Sequence, residues 1–160
     1  MKKIDYGSME TSNLAMGCMR IARSGVNEVR ELIAAALNCG INLFDHADIY
    51  GKGQSETVFG QVLHETPGLR DQIYIQSKCG IHNGTYDFSY EHMMESVEGS
   101  LRRLQTDYLD VLLLHRPDAL AEQEDFCRAV EALKSQGKVR AFGVSNMNPE
   151  NIILVVMWFV

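Results

Sequence analysis

The chain has 160 residues, of which 46% are apolar and 22% charged, a mixture that suits one globular domain with a packed core. Its net charge is −6, and it contains no run of lysine or arginine that could follow a phosphate backbone. We therefore expect neither nucleic acid nor a membrane as a partner. The amino terminus has two lysines but no apolar segment behind them, which predicts a cytoplasmic protein without a signal peptide.

The first part of the chain alternates between predicted strands and predicted helices. A short apolar piece, Asn13 to Ile21, is a candidate first strand. An amphipathic helix follows, with Asn27 as its predicted cap and Gly40 just past its end. Ile41 to Phe44 is the predicted second strand, and Ser55 is the predicted cap of the next helix.

The same alternation continues to the end of the chain. Ser89 is predicted to open a helix with a buried stripe of methionine and leucine, and Asn148 to open another with proline in its first turn. A further helix is predicted over about Glu124 to Ser135. The predicted third, fourth and fifth strands are Ile73 to Ser77, Leu109 to Leu114 and Val139 to Ser145.

Four of the five predicted strands begin about 30 residues apart, with one helix in each gap, which indicates a series of βα units. An open dinucleotide-binding sheet would need a Gly-x-Gly-x-x-Gly turn after its first strand, and Ala15 to Ile21 contains none. The pattern therefore predicts an α/β fold of the parallel (β/α) TIM-barrel type. The chain is expected to form a single domain over residues 1–160, with about the first five of the eight βα units.

Polar residues follow the predicted strands, where a parallel barrel brings all strand ends to one rim. A single residue of this kind has an ordinary structural explanation, such as capping a turn or facing solvent. Together they supply a carboxylate, a phenol, an ammonium and an imidazole, which is a proton-transfer set. The residues concerned are Asp45, Tyr50, Lys78, His115, Ser145 and Asn146. The four cysteines are far apart in sequence, which predicts free thiols, and no metal site is expected.

Four motifs resemble those of the aldo-keto reductase family, in the same order and at similar separations: FDHADIYG, IQSKCG, LLLHRPD and FGVSN. The resemblance covers the chain to about Asn151. It implies a catalytic tetrad of Asp45, Tyr50, Lys78 and His115 and a nicotinamide carboxamide held by Ser145 and Asn146. By a weaker match, it implies that Met19 and Arg20 line the cofactor ribose. NADP(H) is the implied cofactor, and an aldehyde or ketone the implied substrate.

The chemistry of the four tetrad residues is consistent with this implied reaction. Tyr50 would donate the proton as general acid, and Lys78 would stabilise the tyrosinate left behind. Asp45 would keep Lys78 charged at a partly dry rim, and His115 would orient the carbonyl oxygen. An alternative from another enzyme class uses Lys78 as the nucleophile of a Schiff-base aldolase.

The carboxyl end of the sequence predicts an incomplete barrel. A barrel of this type needs about 200 residues or more, and residues 152–160 form an atypical tail of apolar residues without a polar face. We expect a truncated or frame-shifted product whose first and fifth strands present unpaired edges, through which chains could self-associate. A further alternative is therefore a fragment of the family without catalytic competence, acting as an interaction module in the way that some potassium-channel β subunits resemble the reductases.

Overall fold

The structure is a computed structural model that describes residues 2–6 and 9–158. Its elements alternate between strands and helices for most of the chain. The helices are α1 (Val26–Asn38), α2 (Gln54–Glu65), α3 (Tyr90–Leu104), α4 (Gln123–Ser135) and α5 (Pro149–Met157). The strands are β1 (Lys3–Tyr6), β2 (Met9–Ser12), β3 (Ala15–Gly17), β4 (Leu43–Asp45), β5 (Tyr74–Cys79), β6 (Ile81–His82), β7 (Thr85–Tyr86), β8 (Leu109–Leu114) and β9 (Val139–Val144).

A parallel sheet of five strands, in the order β3-β4-β5-β8-β9, forms the centre of the fold. Each strand pairs with the next one of the series, and a helix lies in the connection each time. This is the order of successive βα units in a barrel, so the prediction of an incomplete parallel barrel is confirmed. Within the described residues, β3 and β9 are the two edges of this sheet.

Strand β8 shows why the sheet is covered on both faces. Its six residues (LDVLLL) are all buried. Because side chains alternate along a strand, Leu112 and Leu114 belong to the main core under the helices, whereas Val111 and Leu113 face the other way. The second group packs with Met9 in a smaller cluster on the inner face of the sheet.

The polar opening of the chain carries no predicted element, but the structure has an antiparallel hairpin there, made of β1 and β2. Tyr6 and Met9, at the turn end of the hairpin, pack on the inner face of the sheet. Both strands are only four residues long, and most of β1 is exposed. A strand of four residues is too short for its apolar periodicity to predict secondary structure. Contact with the sheet determines the conformation of this hairpin.

Two of the predicted helix caps are wrong. Helix α1 begins after Gly25 and not after Asn27, and α2 begins after Gly53 and not after Ser55. Gly53 has a positive φ of 86° and lies against the side chain of Arg103, where a Cβ would come within 2.7 Å of the arginine Cδ. The tight, left-handed approach to α2 therefore requires glycine at the position before the helix.

The caps predicted for the two later helices are confirmed. The Ser89 side chain accepts a hydrogen bond from the His92 N–H, and the Asn148 side chain accepts one from the Asn151 N–H. Gly40 has the positive φ, 79°, that was predicted after α1. Capping oxygens and left-handed glycines act locally, which is why sequence alone locates these ends of helices.

Residues 152–157 of the predicted apolar tail continue helix α5, and Phe159 and Val160 lie outside the described residues. Val155 is buried, but the residues around it are open to solvent: Ile153, Val156 and Met157 are 60%, 56% and 63% exposed. The helix thus has apolar side chains on its exposed side as well. In the described part of the chain, no helix has the length and apolar character that crossing a bilayer requires.

Candidate active site

Several of the predicted site residues lie at the carboxyl ends of parallel strands, on one rim of the sheet. Asp45 is the last residue of β4, and Lys78 lies one residue before the end of β5. His115 directly follows β8, and Ser145 directly follows β9. Since all of these strands run in the same direction, their ends meet on one side of the fold.

Lys78 lies at the centre of the group. Its Nζ donates to Asp45 Oδ1 at 2.7 Å, to the backbone oxygen of His46 at 2.8 Å and to the Tyr50 hydroxyl at 3.2 Å. Lys78 is only 6% exposed, whereas the side chain of Asp45 is 23% exposed. The Asp45 carboxylate, the Lys78 ammonium and the Tyr50 phenol therefore form one hydrogen-bond network, with Lys78 in the middle.

The same contacts bear on the alternative use of Lys78 as a nucleophile. An ammonium group has three N–H donors, and each of the three contacts of Nζ is to an oxygen that can accept a hydrogen bond. A Schiff base requires the neutral amine with a free lone pair. This arrangement stabilises the charged lysine and so disfavours the aldolase alternative.

His115 completes the group from the neighbouring strand. Its ring lies edge-on to the ring of Tyr50, with 6.1 Å between the centroids. Burial, with the positive charges of Lys78 and Arg116 as further causes, lowers the pKa of His115 to about 4. Near neutral pH the ring is therefore uncharged and keeps one N–H that can donate to a ligand. Its Nδ1 is buried and has no partner among the described residues.

Two residues that the sequence analysis missed support Asp45. Gln76 Nε2 donates to Asp45 Oδ1 at 2.6 Å, and the Tyr6 hydroxyl donates to Gln76 Oε1 at 2.9 Å. Gln76 is two residues before Lys78 on β5, and the period of two along a strand places both side chains on the same face. That spacing was a usable signal for Gln76. None existed for Tyr6, because its position depends on the hairpin.

Ser145 and Asn146 offer a hydroxyl and an amide beside His115. Asn146 has a positive φ of 56°, and its Nδ2 donates to the His115 backbone oxygen at 3.1 Å and to Ser145 Oγ at 2.8 Å. The Ser145 N–H donates to the Leu114 backbone oxygen at 2.9 Å. A hydroxyl proton and an amide oxygen held side by side in this way match the acceptor and donor of a carboxamide, so these residues fit a nicotinamide ring.

Met19 and Arg20 lie in the loop after β3, at the same rim but apart from the group around Lys78. Both are exposed, and no described contact joins either side chain to Asp45, Tyr50 or Lys78. The loop itself is attached near the site, because the Cys18 N–H donates to the Asp45 backbone oxygen at 2.8 Å. The structure therefore places the loop, but not these two side chains, against the group.

A sequence model of the aldo/keto reductase family matches residues 6–156, which is nearly the whole chain. The chain belongs to the aldo/keto reductase family. Among curated relatives, it is 41% identical over 160 residues to a 6-dehydroglucose reductase of Agrobacterium fabrum, an alignment that covers 92% of this chain and 54% of the relative. It is 46% identical over 129 residues to the uncharacterised oxidoreductase YcsN of Bacillus subtilis, covering 74% of this chain and 43% of that protein.

The structural comparison agrees with family membership. The fold matches an aldo-keto reductase of Bacillus halodurans in its holo form with a TM-score of 0.85 and 33% identity, covering 98% of this chain and 54% of the other. The chain thus spans about half the length of the relatives that it matches. The resemblance drawn from the four sequence motifs is confirmed.

Proposed function

We propose that the rim site reduces an aldehyde or ketone to an alcohol, with Tyr50 as general acid. The observation that carries this proposal is the position of Lys78 Nζ, 2.7 Å from Asp45 Oδ1 and 3.2 Å from the Tyr50 hydroxyl. A phenol that gives up a proton becomes an anion, and an adjacent ammonium stabilises that anion. Asp45 stabilises the ammonium in turn.

His115 orients the carbonyl oxygen in this proposal. As an uncharged imidazole it donates one hydrogen bond, and it lies edge-on to Tyr50, so that one carbonyl oxygen can be reached by both side chains. A charged imidazole would compete with Tyr50 as the proton donor. The lowered pKa of His115 therefore leaves the proton transfer to tyrosine.

A reduced nicotinamide cofactor supplies the hydride when it is bound. Ser145 and Asn146 would hold its carboxamide, and the loop of Met19 and Arg20 would lie along its ribose. Family resemblance favours NADPH over NADH. We propose the cytoplasm as its location, because reduced nicotinamides and small carbonyl compounds are available there.

Substitution of Tyr50 by phenylalanine tests the proposal, because it keeps the ring and removes the proton. The full chain is first titrated with NADPH, and cofactor binding is followed by nicotinamide fluorescence. Consumption of NADPH is then measured with a small aromatic aldehyde. We expect Tyr50→Phe to bind NADPH as the unaltered chain does and to lose about 100-fold or more of its turnover.

Tyr86→Phe is the matched control, since Tyr86 is 49% exposed, lies on β7 and makes no described hydrogen bond to Asp45, Lys78 or His115. It should keep full turnover. Undiminished reduction by Tyr50→Phe would remove Tyr50 from the mechanism. A chain that binds no NADPH would instead favour the second candidate, a family member without reductase activity that acts through its surface.

The specific observation behind this second candidate is the exposed apolar side of α5, together with the unpaired edges β3 and β9. Apolar side chains and unpaired strand edges are features through which proteins associate. A second copy of the chain presents the same features, so self-association is the form of interaction that we propose for it.

A further inference from the structure

A cluster of two histidines and one aspartate lies outside the Lys78 group, around the hairpin formed by β6 and β7. Asn83 and Gly84 form its two-residue turn with φ values of 50° and 84°, the left-handed pair that tight hairpins require. His82 precedes this turn, Asp87 follows the hairpin, and His92 lies in the first turn of α3. One potential ligand atom from each of these three residues lies within 4.8 Å of the other two.

The distance between the two imidazoles matches a shared ion. His82 Nδ1 and His92 Nδ1 are 3.0 Å apart, and the ring centroids are 4.7 Å apart. Two nitrogens that bind one zinc ion at about 2.0 to 2.1 Å each lie roughly 2.9 to 3.4 Å from one another. An ordinary hydrogen bond between neutral histidines has a similar length, so chemistry and not distance distinguishes the two cases.

The third potential ligand, the carboxylate of Asp87, favours a bound metal ion over a hydrogen bond between the two histidines. A carboxylate with two imidazoles is a typical ligand set for zinc and similar divalent transition metals, whereas magnesium and calcium prefer oxygen ligands throughout. Asp87 is held in place because its Oδ1 accepts a hydrogen bond from the Ser89 N–H at 2.8 Å.

The surroundings of His92 provide an independent observation. Its Nε2 is buried without a partner among the described residues, and so is Oδ1 of Asp48. Both residues line the same cavity, of about 390 Å³. Histidines that bind a metal through one nitrogen usually direct the other N–H toward a carboxylate or carbonyl oxygen. Metal at Nδ1 would fix the tautomer of His92 that carries its proton on Nε2, and Asp48 supplies an acceptor in that cavity.

We propose that His82, Asp87 and His92 bind one divalent transition-metal ion of the zinc class. The three residues join the β6–β7 hairpin to the start of α3, so a bound ion orders the hairpin over the cavity. The cavity also has a backbone link to the rim site, because the Asp48 N–H donates to the Lys78 backbone oxygen at 3.2 Å. The ion takes no part in the proposed proton transfer.

Titration of Zn²⁺ into the full chain, without an affinity tag, tests the proposal. The Cys39→Ser variant serves as the background, because Cys39 is an exposed free thiol that could bind zinc. Isothermal titration should give one Zn²⁺ per chain. His82→Ala and His92→Ala should each weaken binding by at least about 10-fold, and Mg²⁺ should not compete.

His64→Ala is the matched control, since His64 lies exposed on α2 and should bind Zn²⁺ as the background does. In hydrogen exchange, the amides of residues 81–87 should exchange more slowly with Zn²⁺ than without it. His82 is on the hairpin surface, so His82→Ala gives a result even if His92→Ala fails to fold. Absence of Zn²⁺ binding, equal binding by His82→Ala and His64→Ala, or competition by Mg²⁺ would each overturn the proposal.

Discussion

Gln76 and Lys78 donate hydrogen bonds to the same oxygen of Asp45, at 2.6 Å and 2.7 Å respectively. The Tyr6 hydroxyl extends the row by donating to Gln76 Oε1 at 2.9 Å. A continuous row of polar groups therefore runs from the amino-terminal hairpin to Tyr50. Gln76 fixes the carboxylate, and the carboxylate fixes the ammonium that faces Tyr50.

Replacement of Gln76 by leucine should lower turnover by about 10-fold, equivalent to ~1.4 kcal/mol in the barrier. Among the described residues, Lys78 is then the side chain that still bonds the Asp45 carboxylate. KM should change little, since Gln76 does not face the carbonyl. Steady-state kinetics with NADPH and an aldehyde measure this. Gln61→Leu is the control, because Gln61 is exposed on α2 and its side chain bonds Glu65, an exposed residue of the same helix. An unchanged kcat, or an equal loss in both variants, would contradict the positioning role.

A buried ion pair joins α2 to α3. Glu56 is completely buried; its Oε2 accepts a hydrogen bond from Arg103 Nε at 2.8 Å, and the charged Nη2 of Arg103 lies 2.8 Å from the same oxygen. Its Oε1 accepts from Ser77 Oγ at 2.7 Å. Arg103→Met leaves this carboxylate buried without its positive partner and with Ser77 as its one hydrogen-bond partner in the described part of the chain. We therefore expect the free energy of unfolding to fall by about 3 to 5 kcal/mol. Urea denaturation measures the change.

Arg102→Met is the matched control for that substitution. Arg102 is the adjacent residue on α3, its side chain is 70% exposed, and it contacts Glu98 only at 4.0 Å. An exposed pair of this kind contributes about 0 to 1 kcal/mol. If Arg103→Met and Arg102→Met had similar effects, the pair of Glu56 and Arg103 would not be an important contribution to stability.

His46 should make stability depend on pH below neutrality. Its ring is fully buried against Phe59, and burial together with the charge of Lys78 lowers its pKa from 6.5 to about 3. At a pH between these two pKa values, His46 binds a proton in the unfolded chain but not in the folded chain. The free energy of unfolding therefore decreases as pH falls through this range. The slope from one such histidine is about 1.4 kcal/mol per pH unit.

His46→Leu removes this titration and should flatten the dependence of unfolding free energy on pH by about that slope between pH ~6 and ~4. Denaturation curves at several pH values measure it. His64→Leu is the control, since His64 is exposed. The explanation fails if His46→Leu retains the steeper dependence of the unaltered chain.

Self-association through the sheet edges and α5 should depend on concentration. We expect sedimentation velocity to show species larger than a monomer as the concentration rises, because the outer edges of β3 and β9 pair with no described strand and Ile153 is 60% exposed. Ile153→Lys should shift the distribution toward the monomer. Leu120→Lys should not, although Leu120 is 88% exposed, because it lies in the loop between β8 and α4 and belongs neither to α5 nor to an edge strand. A monomer at all concentrations would exclude this association.

The parts of the fold that sequence predicted correctly are those with a local signal. Strand β8 is recognisable because five of its six residues are apolar, and the start of α3 because Ser89 supplies a capping oxygen. The starts of α1 and α2 were misplaced. The start of α2 depends on a contact that is distant in sequence, since Gly53 is required by contact with Arg103, 50 positions along the chain.

The candidate site divides in the same way. Asp45, Lys78 and His115 could be found because each lies within one residue of the carboxyl end of a strand, and parallel strands share one rim. Tyr6 could not be found, since its hydroxyl reaches Gln76 across 70 positions of the chain.

The amino-acid sequence by itself determined the alternation of strands and helices and the residue types at the strand ends, because periodicity, capping and composition act over a few neighbouring positions. Only the tertiary structure decided that Gln76 and Lys78 share one oxygen of Asp45, and that His82 and His92 come within 3.0 Å of each other. Such contacts depend on how separate elements pack together. The spacing of residues along the chain does not encode the distance between two side chains to within a few tenths of an ångström.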